Sequence, residues 1–220
     1  MTSEAAIIER IQFDLRGPGG DWETIFEDVL GESLLVFKNR HRSIREMFNA
    51  NIAKWASREF LVLGDRRITY EELKSCVEST AYSMQTQCGI KQGDRVAILG
   101  ANSPEWVISF FAATHLGAIV SALNGWWTET EIRHALELTD PSLVVGDSRR
   151  LARAGSLLDN FQVIDFDQNP LFFETSGNEP EYPDLNEDDP ALILFTSGTT
   201  GKSKGALLSH RSLVGFVDGT

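Results

Sequence analysis

Cysteine is scarce in this 220-residue chain: Cys76 and Cys88 are the only two. They lie twelve positions apart, without C-x-x-C spacing or a nearby histidine pair, so no zinc site is expected. Two thiols in a chain of this size suit a reducing compartment, and a cytoplasmic location is expected. Positive charge is also in deficit, with 20 Lys and Arg against 32 Asp and Glu, a formal net charge of −12. That balance argues against phosphate-backbone contacts as a source of affinity, and no Lys/Arg run is interleaved with aromatics, so no nucleic-acid partner is expected. Long apolar runs are nearly absent. The one stretch that passes a crude hydropathy test, Trp106 to Leu123, is punctuated at both ends. Ser103, Pro104 and Glu105 form a helix start, Gly117 ends that helix, and the remainder reads as a buried strand, so no transmembrane segment is expected. The N-terminus carries Glu4 and Glu9 among its apolar residues and lacks a basic region followed by an apolar one. No signal peptide is expected from it.

What is present is an ordinary globular composition, 42% hydrophobic and 24% charged, in a chain long enough for one large domain or two small ones. The first forty residues give little periodicity, and the mixed apolar and acidic Trp22–Phe37 stretch is expected to wrap the domain surface. Further on the punctuation is clear. Ser43-x-x-Glu46, Thr69-x-x-Glu72 and Thr128-x-x-Glu131 are capping boxes that open helices. Gly64-Asp65 sits between two short apolar runs and predicts a hairpin. Arg95–Leu99, Ala118–Leu123, Leu143–Gly146 and Gln162–Phe166 read as strands, with helices over Pro104–Leu116 and Arg149–Leu158. This rhythm predicts an α/β fold: a largely parallel sheet with flanking helices. The expected division is an N-terminal extension over 1–42 and a first α/β subdomain over 43–173. A solvated acidic linker over 174–190 and the start of a second subdomain over 191–220 complete it. The linker holds seven acids without one basic residue.

After the linker, the apolar run Ala191-Leu-Ile-Leu-Phe195 leads directly into Thr196-Ser-Gly-Thr-Thr-Gly-Lys-Ser-Lys-Gly205. Three glycines, several hydroxyls and two lysines in ten residues suit the holding of a polyphosphate. Glycines let consecutive backbone N–H groups turn inward around an anion, hydroxyls add short donors, and lysine supplies a compact positive charge. A solvent-exposed Gly/Ser/Thr loop with solubilising lysines is the duller alternative. The Walker loop, G-x-x-x-x-G-K-[ST], is a rival: Gly201-Lys202-Ser203 matches its end, but Gly198 lies too close to Gly201. Ala206–Leu208 also reads as a strand where a Walker loop would open a helix.

The segment Ile193 to Gly205 resembles the phosphate-loop signature of the AMP-binding (adenylate-forming) superfamily, in particular its acyl-CoA synthetase branch. The following Ala-Leu-Leu-Ser-His-Arg-Ser-Leu213 is similar to its continuation. Asn102-Ser-Pro-Glu-Trp106, Phe110–Gly117, Leu123-Asn124, Glu131-Ile132 and Ile68-Thr-Tyr-Glu-Glu-Leu73 resemble its upstream elements. The resemblance covers about residue 43 onward, and departs from it at Ser203, where proline is usual, and at Ser212, where asparagine is usual. It implies ATP-dependent activation of a carboxylic acid, a fatty acid being the first expectation, to an acyl-adenylate and then an acyl-CoA. ATP, Mg²⁺ and CoA are the implied cofactors and co-substrates. Thr196, Ser197, Gly198, Thr199, Thr200, Gly201 and Lys204 would hold the ATP phosphates, and Thr199 would give an oxygen to the Mg²⁺ shell. Lys202 falls at a variable position and ranks lower.

The implied adenine- and ribose-binding segments, metal-binding glutamate and late lysine all fall beyond Thr220. No catalytic residue is therefore expected within 1–220, nor catalysis by these residues alone, and ATP should bind them no tighter than about millimolar. Implied partners are small molecules only, with a homodimer left open. A P-loop NTPase, another AMP-forming ligase and a non-catalytic domain with a vestigial loop stay as alternatives. Trp126, Trp127 and His115 have packing explanations as good as functional ones, and His210 is open between a helix N-terminus and a role beside the loop.

Overall fold

A computed structural model of the chain describes residues 4–196 and 202–218. It opens with helix α1 (Glu4–Arg16) and an antiparallel hairpin of β1 (Thr24–Val29) and β2 (Glu32–Phe37). The hairpin turns at Leu30 and Gly31, both with positive φ. Helix α2 (Ile44–Trp55) follows, then the hairpin β3 (Glu59–Leu63) and β4 (Arg66–Thr69) around Gly64, then helix α3 (Tyr70–Thr86). Strand β5 (Arg95–Leu99), helix α4 (Pro104–His115), strand β6 (Ile119–Ala122), helix α5 (Glu129–Thr139) and strand β7 (Leu143–Gly146) make the α/β centre. Helix α6 (Ser148–Ala154) passes at Gly155 into a short 3₁₀ turn and strand β8 (Val163–Asp165). The chain ends with strand β9 (Pro190–Thr196), strand β10 (Lys204–Ser209) and helix α7 (His210–Asp218).

Six strands share one sheet in the order β10-β9-β6-β5-β7-β8, parallel except for the β9–β10 pair. This is the largely parallel α/β fold that the sequence predicts. Its central strands read as unbroken apolar runs because both faces are covered. Alternate residues of β5 divide between them: Val96 and Ile98 face α3 and α4, while Ala97 and Leu99 face α5 and α6. All four are at most 1% exposed. Burying each Val, Leu or Ile contributes about 1.5–3 kcal/mol.

The helix starts are set locally. Ser43 accepts from the Glu46 N–H and Ser103 from the Trp106 N–H. Thr69 and Glu72 exchange both bonds of a capping box. Helix α5 ends at Asp140 in the left-handed conformation, just before Pro141. Gly117 closes the turn after α4 with φ +69°; a Cβ there would lie 2.8 Å from Gln92 and 2.9 Å from Leu185.

The segment expected to be a single helix over Arg149–Leu158 is interrupted. Gly155 (φ +51°) ends α6, and a 3₁₀ turn carries Leu158 into the core. The acidic stretch 174–190 is held to the body at several points. Gln85 bonds Glu181, Gln92 bonds the Asp184 carbonyl, and Arg45 bonds the Pro183 carbonyl. Glu187 is drawn into an ion-pair cluster: Arg40 and Arg211 each reach its carboxylate, at 2.9 and 2.8 Å, and Arg42 at 2.7 Å. Glu27 from β1 joins the same cluster through Arg40 and Arg211. The N-terminal hairpin is thereby tied to the start of α7.

Candidate functional site

The carboxyl ends of the parallel strands β5, β6 and β9 lie on the same side of the sheet. The connection after β5 leads to α4 on one face, whereas that after β6 leads to α5 on the other. Neighbouring strands whose connections part in this way leave a crevice, the usual ligand position in open α/β sheets. The crevice here holds a cavity of about 520 Å³ lined in part by Gly100, Asn102, Asn124, Trp126 and Arg150. Asp147 orders it, accepting from the Ala101 N–H at 2.8 Å and from Arg150 at 3.0 Å. The Arg150 guanidinium lies 5.6 Å from the Trp126 ring, whose outer face is exposed.

Strand β9 delivers the candidate phosphate loop to this edge. Its Leu192, Ile193 and Leu194 pair in parallel with Val120, Ser121 and Ala122 of β6. Its other side pairs with β10, and the last rung before the loop places Thr196 opposite Lys204. Both residues are exposed. A second cavity, about 570 Å³, opens beside this rung between α5 and β9, with Trp127, His134, Phe195, Thr196 and Lys202 among its lining. Trp127 stands edge-on to Phe195 with centroids 5.0 Å apart, so it packs the junction beneath that cavity. A third cavity, about 540 Å³, lies on the far side of Lys202 and Ser203, bounded by Leu138 and Leu207.

The structure thus brings Thr196 and Lys204 together across the base of the loop. Ser197, Gly198, Thr199, Thr200 and Gly201 lie outside the described residues, and with them the metal role expected of Thr199. Both flanks of the loop are extended, and no helix begins at Lys202; the chain enters β10 at Lys204. This removes the Walker reading, which requires a helix there.

The histidines divide. His115 is buried among Phe48, Phe111 and Tyr182, and burial pushes its pKa down to about 3. It is a neutral packing residue. His210 is fully buried at the start of α7; its Nδ1 accepts from the Ile44 N–H at 3.2 Å, and desolvation lowers its pKa. That bond ties the start of α7 to the start of α2. His134, which sequence reasoning passed over, is the histidine beside the loop: its Nε2 lies 2.9 Å from the Ser203 carbonyl. Its position on α5 signals nothing by itself, because its partner is 69 residues away.

Cys76 and Cys88 are free and half-buried, and burial raises the Cys88 thiol to about 11. Among the described residues no group of three or more His, Cys, Asp or Glu side chains is placed to hold a metal. None of their helices is long and apolar enough to cross a membrane.

This architecture is that of the N-terminal subdomain of adenylate-forming enzymes. A Klebsiella oxytoca structure, the NpsA N-terminal subdomain in complex with 3-hydroxybenzoyl-AMSN, superimposes with a TM-score of 0.67 at 30% identity. The match covers 77% of this chain and 41% of that one. A family model described as AMP-binding enzyme matches residues 48–220, and the chain belongs to that family. Among curated relatives, 4-coumarate–CoA ligase 1 of Petroselinum crispum is 28% identical over 211 residues, 90% of this chain. Indoleacetate–CoA ligase of Aromatoleum aromaticum is 34% identical over 160 residues, 68% of this chain. The chain spans only 39% and 31% of their respective lengths.

Proposed function

We propose that this chain supplies the ATP phosphate-binding part of an AMP-forming acid–CoA ligase. The observation that carries the reading is the Thr196–Lys204 rung, which sets these two residues opposite each other at the base of a glycine- and hydroxyl-rich loop. In this reading a carboxylate oxygen attacks the α-phosphorus of ATP and the bond to pyrophosphate breaks. CoA thiolate then displaces AMP from the acyl-adenylate. In this reading Lys204 would meet the charge that develops on the departing pyrophosphate, and backbone N–H groups of the loop would cradle it. Magnesium suits the oxygen-rich composition of the loop, with Thr199 as its proposed donor, and when bound supplies charge neutralisation on the phosphates.

For the acid, we propose an aromatic carboxylate. Two relatives are named for coumarate and indoleacetate, and the similar NpsA subdomain is in complex with 3-hydroxybenzoyl-AMSN. The fatty-acid expectation finds no support among them and serves as the comparison arm of the test.

Acid-dependent pyrophosphate exchange in the full-length protein tests both parts. Aromatic acids should sustain exchange and long-chain fatty acids should not. Lys204→Ala should slow exchange by about 10²–10³, the scale of one preorganised charge-stabilising contact, and Lys202→Ala by far less. An unchanged rate in Lys204→Ala would remove that lysine from the site. Absence of exchange with every acid would remove the ligase reading.

A further inference from the structure

We propose that His134 is a positioning residue for the phosphate loop, holding its exit limb through the backbone carbonyl of Ser203. This rests on the ligase reading above and adds to it a residue from a different element of the fold.

The loop leaves and re-enters the sheet on unequal supports. Its entrance strand, β9, is flanked by β6 and β10, and its Ala191 and Leu192 are buried. Its exit strand, β10, is the edge of the sheet, and Lys204 to Leu207 are all exposed. Ser203 has no ring to fix its φ, so the backbone at the exit needs an external restraint. Among the described residues, the His134 bond is the only side-chain hydrogen bond to the backbone between Lys202 and Gly205. A carbonyl oxygen only accepts, so His134 donates through Nε2–H. The donor is itself well anchored. Ile132, Ala135 and Leu136 on the same helix are at most 3% exposed against the sheet, which fixes the α5 backbone under the ring.

His134 and Ser203 also form part of the wall between the two cavities of about 570 and 540 Å³, and Lys202 borders both. Ser203 precedes Lys204 directly. The heading of the Lys204 side chain therefore depends on where the Ser203 carbonyl is held. Without the bond the exit limb samples more conformations, and ordering it falls to ATP binding. The contact is made to the loop that this reading gives to the ATP phosphates, so the defect should appear in the ATP kinetics.

The test compares His134→Phe, which keeps the ring volume without a donor, with His134→Gln, whose amide N–H can occupy the Nε2 position. His134→Leu serves as a second donor-free variant should the Phe variant fail to fold. In the full-length enzyme, His134→Phe should lower kcat/KM for ATP about five- to tenfold, the worth of one hydrogen bond, with KM for the acid unchanged. His134→Gln should restore ATP kinetics to within about twofold. Amide hydrogen exchange across 202–205, read without ligand, should accelerate in the Phe variant and recover in the Gln variant. Equal amide exchange in wild type and all variants would overturn the contact, whether or not the protein is a ligase. Accelerated exchange with unchanged ATP kinetics would overturn the positioning role. A wild-type protein with no acid-dependent pyrophosphate exchange would overturn the ligase reading and this kinetic role with it, while amide exchange would still decide whether His134 holds Ser203.

Discussion

The centre of the six-stranded sheet and its β9–β10 edge share one hydrogen-bonded ladder but are held by different forces. Strands β5 and β7 are sealed on both faces, and Val96, Ile98, Val144 and Val145 have no exposed surface. Their stability comes from apolar burial, which is indifferent to ligand. Strand β10 has Lys204, Gly205, Ala206 and Leu207 exposed, and it is kept in place by tethers. Those tethers are the ladder to β9, the His134–Ser203 bond, the His210–Ile44 bond and the Arg211 ion pairs. The proposed phosphate loop thus joins a strand held by burial to one held by tethers. That division suits a site that must follow phosphates through a reaction.

The comparison is broken or sharpened first by core truncation. Ile98→Ala leaves a cavity between β5 and the α3–α4 layer and should cost about 2–5 kcal/mol in chemical denaturation. Its loss should not depend on added ATP. A cost below about 1 kcal/mol would mean that the centre is looser than its burial implies.

A smaller effect is expected at the tethers. Arg211 bonds Asp188 at 2.6 and 2.9 Å and reaches Glu27 and Glu187 as well, with its own side chain 14% exposed. Arg211→Gln should destabilise by about 2 kcal/mol, because it leaves the partly buried Asp188 carboxylate without its ion-pair partner, while Glu27 and Glu187 keep Arg40. The effect has a pH signature. The hydrogen bond from Arg211 holds the Asp188 carboxyl below its ordinary pKa, and that from Arg40 does the same for Glu27. A carboxylate whose pKa is depressed by folding contributes stability that is present above its unfolded pKa and lost as pH falls through the folded one. Wild-type stability should therefore decline on acidification below about pH 4, and the Arg211→Gln curve should decline less steeply. Parallel curves would show that the cluster contributes nothing net.

Much of this division was legible in the sequence, and the residues show why. The capping signals at Ser43, Thr69 and Thr128 are local, since cap and partner sit three positions apart, and each opens a helix where expected, although at Ser43 Glu46 accepts from the Arg42 N–H and the reciprocal half of the box is not made. The apolar run into a Gly/Thr/Lys loop is local too, and its strand–loop–strand form follows from it. The fold class and the base of the candidate site were therefore readable. The N-terminal region was not. The hairpin at Leu30–Gly31 has exposed apolar side chains such as Phe26 and Leu35 on its strands, so no half-buried alternation marks them. The cluster that anchors it joins Arg40 to Glu187 across 147 positions, and no pattern in either stretch names the other. The acidic run looked solvated for the same reason: its cations come from elsewhere in the chain. His134 escaped notice because a lone histidine on an amphipathic helix gains meaning only once Ser203 is seen beside it.

The smallest expected effect is the sharpest test of the contrast. Leu207 lies on β10 with 58% of its surface exposed, bordering the 540 Å³ cavity near Leu138. If this edge is held by tethers, the leucine contributes little apolar burial, and replacing it with another strand former should leave the ladder intact. Leu207→Thr introduces the β-branching that suits a strand and keeps the backbone donor, so stability should change by no more than about 0.5 kcal/mol. Acid-dependent pyrophosphate exchange should stay within about twofold of wild type. Its neighbour Leu208 is half-buried and packs against the core, so Leu208→Ala should cost measurably more, about 1–2 kcal/mol. The pair reads the two faces of one strand in a single denaturation series. A loss above about 1.5 kcal/mol for Leu207→Thr would mean that the outer face of β10 is covered in solution, and the edge would then be held by burial as the centre is.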